Sequence, residues 1–475
     1  MTTRLRFLLC PLLVLAAAAA AGAAEPGLLS ADDIRAAGAL RDRVVAGSRG
    51  SEWVREITDR AGPRLAGSPG DRAAVAVGLE MLRALGFSNV RAEKVVVPVW
   101  ARASESGEVT APVSQKLALA AIGGSVATPD GGLEAEVLGV HSFDELEAKK
   151  AFVPGRIVFF DVPTERRADF SGYGKSVVYR SDGASRAGKL GAIGVLIRSI
   201  GTDDNRLPHT GALEYAANQP RIPAAALSIP DADLLAHLLA RGGPVRVRFA
   251  LACGAQPDGE SANVIGEVTG REAPDEIVVL GAHLDSWDLG RGAIDDGAGC
   301  GIVIEAARQI AALSRRPRRT IRVVLFANEE NGLAGGKAYA AAHAAELSRH
   351  VAALESDNGT GRPLGLSWNA GPGAAALFAQ ISAVLAALDA KELTTGGEGG
   401  ADISRMLLAG VPLIGLPQDA TTYFDFHHTA NDTFDKIVPK DLDRTAAVAA
   451  VTAWCLAEAP QPIDRVPADK RKLAW

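Results

Sequence analysis

From Asn263 onward the sequence alternates between short apolar runs and longer segments of helical periodicity, and this alternation limits the possible folds more than any other feature. Strands are predicted at 277–282, 320–327, 351–354 and 411–416, and helices at 297–313, 333–347, 374–390, 402–409 and 442–457. Strands separated by helices of that length need crossover connections, which build a mostly parallel, mixed sheet flanked by helices, an α/β fold. In such sheets ligands collect beyond the carboxyl ends of the strands.

Upstream the texture changes twice. Residues 30–87 read as helical, with Ile34, Leu40, Val44 and Val45 on one segment and Val75, Leu79, Leu82 and Leu85 on another, separated by the turn-rich loop 64–70. A valine-rich strand follows at 90–99, where Pro98 suggests a sheet edge. Residues 103–255 then carry short apolar runs at 155–160, 194–197 and 222–227, separated by Gly, Pro and Asp, with a helix at 184–190. In order and texture this segment is similar to the protease-associated domain, and the expectation is an inserted small β/α module. It holds no evident cluster of catalytic residue types, so the resemblance implies a lid or substrate-restricting role.

The first 24 residues have a basic start at Arg4 and Arg6, a short apolar middle and small residues ahead of Glu25, the pattern of a removable signal peptide. A membrane span would need about 20 apolar residues, and no later stretch provides them. Cys10 has no small-residue lipobox before it, which disfavours a lipid anchor. Cys253, Cys300 and Cys455 remain after processing, an odd number, so disulfides are not the main framework. A formal net charge of -6 gives no electrostatic basis for binding nucleic acid.

The polar residues that fall at strand ends carry the chemistry. His283 and Asp285 follow the first core strand, Asp295 and Asp296 precede the next helix, Glu329 and Glu330 end the second strand, and Asp357 follows the third. All are expected at one sheet edge. So many carboxylates together repel one another and raise their own pKa values unless a cation neutralises them. Imidazole with carboxylate oxygen suits zinc, although manganese or cobalt also fits a carboxylate-rich site.

Five blocks, 281–286, 295–299, 326–330, 355–359 and 428–433, follow in the order of the zinc exopeptidases that include bacterial leucyl aminopeptidases and glutamate carboxypeptidases. The sequence resembles that family over nearly all of the mature chain. The segments 283–288, 398–402 and 426–428 are most similar to one subgroup of its glutamate carboxypeptidases. The resemblance implies two zinc ions per chain, with Asp295 bridging, His283 and Asp357 on one ion, Glu330 and His428 on the other, and Glu329 as general base. Either His427 or His428 could reach a metal, and the family pattern selects His428. Asp285 is expected to accept the other ring N–H of His283, fixing its tautomer. Asp432 is either a further supporting group or a loop cap, and Asp402 is a candidate on the substrate side. The family also implies a cis peptide between Asp295 and Asp296 and a homodimer.

The domain expectation is thus a signal peptide at 1–24, a first part of the peptidase domain at 25–102, the inserted module at 103–255, the dinuclear zinc peptidase domain at 256–460 and a tail at 461–475. The function expected is a secreted or periplasmic exopeptidase acting on small peptides, of carboxypeptidase or dipeptidase type. An aminopeptidase of the same family is the nearer alternative. Two more distant ones are an amidase of acylated amino acids and a non-catalytic binding protein like the transferrin receptor, which should have lost ligand residues that are present here.

Overall fold

A computed structural model describes residues 28–473. The expected signal peptide and the last two residues of the tail lie outside that range.

Strands Ala273–His283, Arg319–Phe326 and His350–Glu355 lie side by side and parallel, with Ala273–His283 in the middle. Leu413–Gly415 extends the parallel set beyond His350–Glu355. Gly365–Asn369 then joins antiparallel, followed by Glu392–Thr395 at the edge. Neither of these last two is evident in the sequence, because Glu392–Thr395 is exposed throughout and has no apolar signal.

All eight residues of Arg319–Phe326 are buried, as expected for a strand covered on both faces. The two faces separate by alternation. Val278, Leu280, Ile321, Val323 and Leu325 pack under helices Gly50–Ala61, Ala298–Ala311 and Pro439–Glu458. Val279, Val324 and Phe326 pack with Tyr339 of helix Ala334–Ala342 and with Ile403 and Met406 on the opposite face. Two helical predictions are corrected here. The segment predicted helical at 333–347 is α-helical only from Ala334 to Ala342, and Asp402–Ala409 is a 3-10 helix.

On the other side of the sheet, Arg246–Val268 pairs antiparallel with Arg319–Phe326 and, along its length, with Ser88–Ala111. The register slips between Val97 and Val99, where Pro98 has no N–H to donate. These two long strands run through residues 102–103 and 255–256, so the chain enters and leaves the second unit as a β-ribbon. That unit places Leu133–Val140, Ile157–Phe160, Gly194–Arg198 and Ala224–Leu227 in parallel order. Ile157, Phe159 and Leu196 face one apolar cluster, while Val158, Phe160 and Val195 face another. Among the described residues, Cys253, Cys300 and Cys455 are all free.

Candidate active site

His283 is the last residue of the central strand, beside Phe326 of its neighbour, so its imidazole emerges at the carboxyl edge of the parallel set. Its Nε2 lies 3.0 Å from Asp295 Oδ1 and 3.7 Å from Asp357 Oδ1. The other oxygen of Asp295 lies 3.2 Å from His428 Nε2, and that nitrogen is 3.1 Å from Glu330 Oε2. Asp295 therefore stands between two donor sets, with His283 and Asp357 on one side and His428 and Glu330 on the other. All five residues named from the sequence as ligands meet here.

The loops that bring them together are pinned by buried groups. Asp432 accepts the backbone N–H groups of Ile294 at 2.6 Å and Asp295 at 3.1 Å, so it holds the segment that carries the central aspartate. Asp296 accepts from His283 N at 3.1 Å and from Gly299 N at 2.9 Å, which ties the strand end to the start of the following helix. The peptide between Asp295 and Asp296 is cis. The fully buried Arg64 donates to the carbonyls of Leu284 and, at 2.8 Å, Gly292.

Two details differ from the sequence reading. The ring Nδ1 of His283 lies closest to the backbone oxygen of Asp285, at 3.1 Å, with the Asp285 carboxylate at 3.7 Å. That carboxylate turns instead to the N–H of Glu329, at 3.0 Å, because the chain reverses there and leaves this donor without a strand partner. Glu329 and Glu330 do not end a strand either. The strand stops at Phe326, and Asn328 has a left-handed φ of 60°, so the two glutamates sit on a turn beyond the strand.

Electrostatics mark the site as short of positive charge. Burial pushes the Glu329 carboxyl well above its ordinary range, with Asp357 and Glu330 adding to the shift. Glu330 is pushed up to about 7 by burial and by Asp295. Asp402, buried with neither oxygen partnered, is raised by burial and by Glu355, which itself accepts from Ile403 N. Burial opposes charge on His283, yet its contacts to Asp285, Asp295 and Asp357 outweigh this and hold it well above the usual value. Buried carboxylates outnumbering cations are what a bound cation would stabilise. Ligand atoms of His283, Asp295 and Glu330, of His283, Asp296 and Asp357, and of Asp295, His427 and His428 each lie within 4.8 Å of one another. Mixed imidazole and carboxylate donors in this number fit zinc chemistry.

A cleft of ≈ 590 Å³ opens over this edge, and Glu329, Asp357 and His428 line it. So do Phe170, Tyr173 and Arg180, which come from the second unit and which the sequence did not single out. His427 stacks on His428 with ring centroids 3.5 Å apart and sits among Tyr173, Tyr423 and Phe424. Its Nε2 is 3.5 Å from Asp295 Oδ2.

Imidazoles and carboxylates gathered at the carboxyl edge of a mostly parallel sheet define a metallohydrolase of the α/β type. Comparison with known proteins narrows that class. The model of peptidase family M28 matches residues 263–453. Carboxypeptidase Q of Mus musculus is 36% identical over 88% of this chain and 87% of its own length, and that of Homo sapiens is 36% identical over 88% of each. A peptidase M28 precursor from Shewanella amazonensis SB2B superposes with a TM-score of 0.89 at 42% identity, over 92% of this chain and 99% of that one. An aminopeptidase from Aneurinibacillus sp. strain AM-1 shares the fold, with a TM-score of 0.61 at 22% identity over 90% and 98% of the two chains. The chain belongs to peptidase family M28 and is a metallo-exopeptidase.

Proposed function

We propose that this chain is a secreted or periplasmic dinuclear zinc exopeptidase that hydrolyses small peptides, of carboxypeptidase or dipeptidase type. The observation that carries the reading is the position of Asp295, whose two oxygens face two separate donor sets at 3.0 and 3.2 Å. In this reading His283 and Asp357 would hold one ion and Glu330 and His428 the other, with Asp295 available to both. Bound zinc would supply Lewis acidity toward the scissile carbonyl and lower the pKa of the attacking water.

The protein's own groups do the rest. Glu329 takes the proton of the attacking water and returns it to the leaving amine. Its backbone is held by Asp285, which supports a fixed position for the base. Phe170 and Tyr173 wall the cleft with apolar surface and limit water. The unit between residues 103 and 255 acts here as a protease-associated-like module restricting substrate size. Similarity to proteins named carboxypeptidase Q favours recognition of the carboxyl terminus. Among the described residues no helix is long and apolar enough to cross a membrane, which is compatible with export behind the segment 1–24.

The test is Glu329→Gln. It is expected to keep both zinc ions and to lose about 100- to 10,000-fold in turnover of a dipeptide. Normal turnover would remove Glu329 as the base. Peptides blocked at one end separate the two exopeptidase types, since cleavage that survives C-terminal amidation and fails after N-terminal acetylation would assign an aminopeptidase.

A further inference from the structure

His428 has a backbone conformation that a non-glycine residue seldom adopts, with φ at 61°. Such a residue persists only where its surroundings over-determine it. Part of those surroundings comes from the second unit. Thr210 N donates to His428 O at 2.9 Å, and His209 and Thr429 form an antiparallel β-bridge. Further along the same loop pair, Thr202 N donates to Phe424 O at 3.1 Å, and Thr202 Oγ1 donates to Asp425 at 2.7 Å. Arg166 closes this end with a bidentate contact to Asp425.

The imidazole is gripped as well. His428 Nδ1 lies 3.3 Å from Thr210 O and 3.4 Å from Arg180 Nη1. When Nε2 binds a cation, Nδ1 carries the proton and must donate. A guanidinium has only donors, so the carbonyl of Thr210 is the group able to accept. Thr210 is itself tethered. Its Oγ1 donates to Ala121 O at 3.0 Å and accepts from Arg102 Nη2 at 3.0 Å. Arg102 in turn grips both oxygens of Asp288 at 2.8 and 3.1 Å, in the loop that follows His283.

We propose that the loop 199–213 of the second unit is a positioning element for His428. Thr210 O accepts a hydrogen bond from the Nδ1–H and so leaves Nε2 free for the cation, and the Arg102–Asp288 pair fixes Thr210. This rests on the reading of His428 as a zinc ligand. The second unit is then part of the construction of one metal position, in addition to walling the cleft. Its docking and the occupancy of that position are linked, whereas the position at His283 and Asp357 is coupled to it only indirectly, through the shared Asp295 and the Asp288 loop.

The experiment is competition for zinc between a chelator and the mature full-length protein, which yields two dissociation constants, with apo-protein melting measured alongside. Arg102→Met is expected to weaken one constant about 10- to 100-fold, as loss of outer-shell support does. Arg102→Lys should restore part of that loss. Thr210→Val removes one hydroxyl without changing shape and should weaken the same constant about threefold. In a His428→Ala background, adding Arg102→Met should move the remaining constant by less than about twofold. Both constants unchanged, or a change in the constant that survives His428→Ala, would overturn the proposal. Should Arg102→Met fail to fold, Thr210→Val decides the matter alone. Wild-type protein that binds no zinc would remove the functional reading itself, while two bound ions with unaffected variants would remove only this inference.

Discussion

Asp285 Oδ1 accepts the backbone N–H of Glu329 at 3.0 Å, so an aspartate two residues beyond His283 secures the turn that bears both glutamates. Removing it leaves a donor unpaired beside the proposed base. Asp285→Ala is expected to lower kcat about tenfold with little change in KM, since the effect is on placement of Glu329 and not on substrate binding. Asp285→Asn, which keeps an acceptor oxygen, should lose less. Steady-state kinetics on a dipeptide separate the two, and equal loss in both variants would point to charge as the determinant.

The paired histidines give a second expectation. His428 Nε2 contacts both Asp295 and Glu330, whereas His427 reaches only Asp295, at 3.5 Å, from within an aromatic pocket. His428→Ala should therefore lose one zinc equivalent. His427→Ala should keep both and raise KM, because its ring faces the cleft. Metal analysis that showed the reverse would exchange their roles.

A third expectation concerns stability away from the site. Burial holds His350 neutral until about pH 4, with Arg322 and His343 adding to the effect and the Glu346 carbonyl opposing it. In the unfolded chain the same ring protonates near pH 6.5. Between these values the unfolded state binds the extra proton, so this contribution is fully present above about 6.5 and is lost as pH falls toward 4. The shift corresponds to at most about 3 kcal/mol. Nearby His343 is moved the other way, raised by Glu93 and Glu346 against burial, so its contribution is lost as pH rises through its folded value. Urea unfolding between pH 7 and 4 should show a shallower pH dependence in His350→Gln than in wild type. Identical slopes would refute the assignment.

The catalytic sheet was legible because its strands are buried on both faces and so read as unbroken apolar runs between helices of ordinary length. His283, Glu330 and Asp357 were legible for a related reason, since each sits at or just beyond such a run, whereas Asp295 and His428 lie away from the strand ends and were assigned as ligands by the family resemblance. What escaped was set by tertiary contact. Glu329 and Glu330 looked like the end of a strand, but a left-handed Asn328 turns them out of it. Asp285 was expected at the ring of His283 and turns instead to a backbone donor 44 residues away. Arg180, Tyr173 and Thr210 gave no signal, because their proximity to His428 depends on how a second unit docks and not on any local pattern. Asp402, a substrate-side candidate in the sequence, is buried with neither oxygen hydrogen-bonded among the described residues.

Two cations are proposed to share Asp295, whose oxygens face separate donor sets. Zinc-loaded wild-type protein, dialysed free of excess metal and analysed for zinc per chain, is predicted to hold about two equivalents and to lose dipeptide hydrolysis in step with their removal by a chelator. Protein that held no stoichiometric metal, or that kept full activity after both equivalents were stripped, would contradict it.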